Sequence, residues 1–149
     1  MALPKVWHLF GEDHLPYRLL VLSRMIDRET ARLLQKQFGL SLADWRLLAI
    51  GSAMGPSTAS EIGAAGEIDR AEISRAFRKL EEAGLMTRDP DPKHGKRKII
   101  SPTKKGQVLF RKVRDERRQY FRSIMGPLSP DERILMDACL EKMAQVVSP

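Results

Sequence analysis

Mainly α with a small β-wing is the fold class this sequence predicts, and three observations predict it. Long stretches carry apolar residues at helical spacing, and most are bounded by a capping residue before and a glycine after. Two consecutive helices are joined by only about three residues, Gly66-Glu67-Ile68. The one stretch that reads as β is a short ribbon directly behind that pair. Together they spell a winged helix-turn-helix lobe at 41–103, with its wing at about 85–102. Long helical segments at 15–38 and 104–147 flank it, within a single domain spanning 1–149.

The first helix is expected from Leu15 to Phe38, with Leu15, Leu19, Leu22, Ile26 and Leu33 on one face and Gly39 as a left-handed stop. Ser41 caps the second, which carries Asp44 in its first turn and points Trp45, Leu48 and Ala49 inward; Gly51, Gly55 and Pro56 are expected to end it. Thr58-Ala59-Ser60-Glu61 is a capping box for a short third helix ending at Gly66. Asp69 and Glu72 repeat the pattern for a fourth, which stops before Gly84. Leu85 to Arg88 and Lys98 to Ser101 read as strands around the turn Asp89-Pro90-Asp91-Pro92-Lys93-His94-Gly95. Thr103 caps a fifth helix, about Lys104 to Met125, and Gly126-Pro127 ends it. Ser129-Pro130-Asp131-Glu132 starts the sixth.

Composition bounds what such a fold can do. The chain has 149 residues, 42% hydrophobic and 30% charged, enough for a core in a globular protein. No run of about 18 apolar residues suggests a membrane span. Residues 1–10 lack a basic stretch leading into an apolar block, so the expected location is the cytoplasm. A lone cysteine, Cys139, fits a reducing compartment. The net charge of +7 points to a polyanionic partner. Much of it lies between Arg88 and Arg122, and the part at Lys93 to Lys98 sits in a turn with no helix to solubilise.

The fourth helix concentrates the chemistry. Ile73, Phe77 and Leu80 form its apolar stripe, and the opposite face carries Arg70, Ala71, Ser74, Arg75 and Arg78. Small residues let a backbone approach a groove, while arginines and a serine reach base edges or phosphates. A surface helix whose arginines pair with Glu72, Glu81 and Glu82 would show the same pattern. The short turn before it and the basic ribbon after it favour double-stranded DNA. The expected duplex-contacting set is Thr58, Arg70, Ser74, Arg75, Arg78 and Lys79, with Lys93, His94, Lys96, Arg97 and Lys98 from the wing. The wing cations would follow the backbone or enter the adjacent minor groove.

The stretch from Asp69 to Gly106 resembles the signature region of the MarR family of bacterial regulators. The matching pieces are Leu80-Glu81-Glu82-Ala83-Gly84-Leu85-Met86, Arg88 and Thr103-Lys104-Lys105-Gly106, and Leu42 to Leu48 resembles the family's second helix. The chain departs from the pattern where His94-Gly95-Lys96 replace an aspartate and arginines at the wing, and where Pro102 replaces an aliphatic residue. The resemblance implies a transcriptional regulator, a repressor, on a pseudo-palindromic operator. It also implies a homodimer formed through the first and last two helices. The apolar residues of the sixth helix, Met136, Leu140, Met143 and Val147 with Ile134, Leu135, Ala138 and Cys139 beside them, suit either that interface or packing within one chain.

The resemblance further implies release by a small, aromatic or anionic effector. Tyr17, Arg18, Trp45 and Arg46 are the candidate contacts, although an apolar-facing tryptophan serves equally as core. No cofactor is expected and no metal site. His8, Glu12, Asp13 and His14 lie close together but without defined ligand spacing, and Cys139 has no adjacent base. No nucleophile elbow, phosphate loop or paired carboxylates point to an enzyme or to catalytic residues. The competing reading is a winged-helix adaptor that docks another protein chain.

Overall fold

Six α-helices and one two-stranded sheet occupy residues 2–148, the part that the computed structural model describes; the side chain of Glu12 lies outside that description. The chain forms two compact units, one up to Phe110 and one from Arg111 onward.

The first unit begins with two short 3-10 turns, Lys5–His8 and Glu12–His14, before α1, Leu15–Phe38. Gly39 takes a left-handed φ of 65° and its N–H donates to the Gln35 carbonyl, which closes the helix. At α2, Leu42–Met54, the cap is reciprocal: the Asp44 N–H donates to Ser41 Oγ at 3.1 Å and the Ser41 N–H to Asp44 Oδ2 at 2.8 Å. The expected stop at Gly51 does not occur; the helix runs through it and ends before Gly55, whose φ is 75°. A glycine inside a helix costs only about 1 kcal/mol. Here it admits a neighbour, because a Cβ at 51 would sit 3.0 Å from the Met86 methyl.

Next come α3, Ala59–Gly66, and α4, Arg70–Glu82. Strands β1, Met86–Pro90, and β2, Lys98–Pro102, pair antiparallel with Met86 opposite Pro102 and Pro90 opposite Lys98. The ladder runs further out than expected, as far as Pro90, and Pro102 lies at its last pair, where a missing donor matters least. The inner end of the ribbon is tied down as well. Ser57 exchanges two backbone hydrogen bonds with Ile100, so β2 is paired on both edges at that point.

Leu34, Leu40, Leu47, Leu48, Ile62, Ile73, Phe77, Leu80, Met86 and Ile100 are buried and form the core of this unit. One inward face differs from expectation. On α2 the buried leucines are Leu47 and Leu48, while Trp45 and Ala49 are half-buried. On α1 the apolar face is only partly covered: Leu15 is exposed, Leu19, Leu22, Ile26 and Leu33 are half-buried, and Val21, Thr30 and Leu34 are buried. Periodicity finds an apolar face but cannot say whether the same chain covers it.

The start of α5, Lys104–Met125, is fastened to the end of the lobe. Thr103 Oγ1 accepts the Gly106 N–H and donates to the Gly84 carbonyl at 2.6 Å. Gly106 lies against the Leu85 carbonyl so closely that any Cβ would collide with it.

The second unit holds the rest of α5 and α6, Pro130–Val147. Ser129 and Glu132 form the expected capping box, and Arg133 donates to the Leu128 and Met125 carbonyls across the turn. No residue of α6 is buried; Ile134 is 71% exposed and Val147 83%. No helix among the described residues is long and apolar enough to cross a membrane.

Candidate nucleic-acid interface

The turn between α3 and α4 is built by close packing. Glu67 adopts a left-handed φ of 50°, and the Ile68 N–H donates to the Gly63 carbonyl. A Cβ at Gly63 would lie 2.8 Å from Ile73 Cδ1, and one at Gly66 would overlap the Ile50 side chain. Glycine at both places lets α3 and α4 meet at this angle. Gly66 was legible as a helix stop, whereas nothing in the pattern of a single sequence marks Gly63.

Carboxylates anchor the starts of both helices. Thr58 Oγ1 accepts the Glu61 N–H, and Glu61 accepts the Thr58 N–H at 2.8 Å. Hydrogen bonds from Thr58, joined by the charge of Arg97, hold the Glu61 carboxyl below its ordinary value. Asp69 Oδ1 accepts the Ala71 and Glu72 N–H groups at 2.7 and 3.0 Å, and the Glu72 bond does most to depress its pKa, helped by the Ala71 bond and the charge of Arg75. A depressed carboxyl stabilises the fold fully above its unfolded pKa and loses that contribution as pH falls through the folded one. Both caps are therefore intact at neutral pH and weaken only in acid.

The two faces of α4 separate as expected. Ile73, Ala76, Phe77 and Leu80 are buried; Arg70, Ala71, Ser74, Arg75 and Arg78 are exposed. None of these three arginines forms an ion pair among the described residues, so Glu72, Glu81 and Glu82 do not neutralise the face. Lys79 behaves differently. Its ammonium donates to Asp44 Oδ2 at 2.6 Å and to the Gly39 carbonyl at 3.1 Å, turning toward the start of α2. The structure does not bring it into the set formed by the arginines.

The ribbon is joined to this surface at two points. The Arg88 guanidinium lies 4.5 Å from the centre of the Phe77 ring, stacking β1 on the inner side of α4. Arg97 reaches α3, where its Nη2 donates to Glu61 Oε1 at 3.3 Å. Between α3, the start of α4 and β2 lies an open cleft of about 720 Å³, with Thr58, Arg70, Arg97 and Lys98 on its walls. Four expected residues thus meet around one cleft, and Ser74, Arg75 and Arg78 continue along α4. Lys93, His94 and Lys96 stand exposed on the turn, which is fixed by the Asp91 N–H donating to the Arg97 carbonyl and the Arg97 N–H to that of His94.

Each of the expected effector contacts has a partner of its own. Tyr17 meets the edge of Phe10, and Arg18 Nε donates to the Trp7 carbonyl at 3.1 Å. Trp45 stacks on Phe110 with ring centres 5.8 Å apart, and Arg46 pairs with Asp27 at 3.1 Å.

Helix-turn-helix, two-stranded wing and long flanking helices define a winged helix-turn-helix protein. The MarR family model matches residues 38–97, the span from the end of α1 to the wing tip. A probable transcriptional regulator from Pseudomonas aeruginosa is similar in structure over 87% of this chain and 98% of its own, with a TM-score of 0.71 and 24% identity. A MarR/EmrR family transcriptional regulator from Acinetobacter sp. ADP1 covers 93% of this chain and 98% of its own at a TM-score of 0.80 and 19% identity. A MarR family regulator from Silicibacter pomeroyi covers 90% of both chains at 0.74 and 24%. No curated protein matches the chain in sequence. The resemblance read from the signature residues stands over residues 38–97, which match the MarR family model, and the winged helix-turn-helix fold is similar to that of solved MarR-family regulators.

Proposed function

We propose that this chain is a sequence-specific double-stranded DNA-binding transcriptional regulator, working in the cytoplasm as a homodimeric repressor. The observation that carries the reading is the outer face of α4. Three exposed arginines that form no ion pair among the described residues alternate with alanine and serine there, beside a basic wing. Cations left available on one helix face suit the phosphates and base edges of a duplex. The helix width and the cations on the ribbon suit a major groove flanked by backbone phosphates.

The homodimer rests on the apolar residues that each chain leaves uncovered on α6, Ile134, Leu135, Leu140 and Val147. Two copies would set their recognition helices about one helical turn of DNA apart, roughly 34 Å, on a pseudo-palindrome. Release by a small aromatic or anionic effector follows from the family resemblance, with Tyr17, Arg18, Trp45 and Arg46 as its contacts. Selection of duplexes from a random-sequence pool tests the reading. It should recover two inverted half-sites about 10 base pairs apart, and a pool that stays random after selection would refute it. Light scattering at micromolar concentration should give the dimer mass.

A further inference from the structure

Lys79 is the one cation of α4 held in an ion pair among the described residues, and its partners belong to two other helices. Asp44 Oδ2 receives both the Lys79 ammonium at 2.6 Å and the Ser41 N–H at 2.8 Å. The Asp44 side chain is only 4% exposed, whereas that of Lys79 is 52% exposed. The second acceptor, the Gly39 carbonyl at 3.1 Å, lies at the C-terminal end of α1, where unpaired carbonyls favour a positive charge. One ammonium therefore closes a corner made by the end of α1, the cap of α2 and the last turn of α4.

We propose that Lys79 is a positioning residue: through the Asp44 carboxylate and the Gly39 carbonyl it sets the tilt of α4, and with it the discrimination between the operator and other duplexes. The inference rests on the DNA-binding reading of the same helix. From Lys79 back to Arg70, α4 spans about 13 Å at the usual helical rise. A tilt of about 10° at the clamped end moves the leading end by about 2 Å, more than a base-edge hydrogen bond tolerates. Phosphate contacts through flexible cations absorb such a shift, so the clamp acts on sequence readout more than on general affinity.

Lys79→Met keeps the aliphatic stem and removes the charge. Operator affinity should fall about tenfold, the size of a coupled contact, while affinity for an unrelated duplex and the slope of log affinity against log salt stay unchanged. Lys79→Arg should restore most of the loss. Equal losses on both duplexes, with a slope shallower by about 0.9 for each of the two copies, would make Lys79 a phosphate contact and overturn the proposal, as would no change on either. Asp44→Asn approaches the clamp from the other side and retains an acceptor for the Ser41 N–H. The clamp requires that it too lowers discrimination, whereas a phosphate-contacting Lys79, freed from its carboxylate, would bind every duplex at least as tightly. Thermal melts confirm that each variant is folded. The unmodified chain is measured in parallel: if it binds no duplex, the DNA reading itself fails; if it binds and the variants behave as phosphate contacts, only this inference fails.

Discussion

Replacing Arg75 with alanine isolates the recognition surface from the fold. Arg75 is exposed in the middle of α4, forms no ion pair among the described residues, and lies on the side opposite Ile73, Phe77 and Leu80. Arginine and alanine are both good helix formers, and exposed substitutions of this kind change stability by about 0.5 kcal/mol or less. For a chain of this size that is a shift in Tm of at most about 2 °C. A bidentate arginine on a base edge supplies about 1–3 kcal/mol of discrimination, so operator affinity should fall about 5- to 150-fold. The assay is a titration of the selected operator and of a scrambled duplex, beside a thermal melt. Unchanged operator affinity would refute the reasoning. A fall of several degrees in Tm would as well, because it would place Arg75 among the side chains that hold the lobe together.

Neutralising Lys96 and Arg97 together should weaken binding to every duplex alike and flatten the salt slope by about 0.9 per lost phosphate contact; a loss confined to the operator sequence would contradict a backbone role. Thr58→Ala removes the acceptor for the Glu61 N–H and should cost about 1 kcal/mol, or about 2–4 °C in a thermal melt. Gly106→Ala drives a methyl into the Leu85 carbonyl and should cost about 1–3 kcal/mol by the same measurement, since backbone cannot yield as a flexible side chain can. Asp69→Asn keeps an acceptor at the α4 cap but no longer titrates, so the variant should lose less stability than the parent as pH falls below the ordinary aspartate range; melts across that range decide it.

The caps explain why so much of the fold was legible in the sequence. Ser41, Thr58, Asp69, Thr103 and Ser129 each hydrogen-bond the amides they were expected to, because a capping residue acts within three residues of itself. What depends on distant neighbours was not legible. Gly51 reads as a helix stop until the Met86 methyl is seen against it, and the spacing of α1 marks an apolar face without telling that Val21, Thr30 and Leu34 are the residues covered. Within the interface, the exposed arginines of α4 followed directly from its period. Lys79 shares their periodic face, and only the approach of α2, with the buried Asp44 carboxylate, turns its ammonium away. Arg88 was read as part of a signature, yet its stacking on Phe77 needs the ribbon folded back onto the helix.

The central claim is that this surface binds duplex DNA through its backbone and reads bases with α4. The most direct test is the affinity of the unmodified chain for the selected operator measured across a range of salt concentrations. With two copies each contributing wing and helix cations, about 6–10 phosphates are neutralised, and log affinity should fall against log salt with a slope of about −5 to −9. A flat dependence, or duplex affinity no greater than that of an unrelated acidic polymer, would contradict the account and leave the winged lobe as a docking module for another protein.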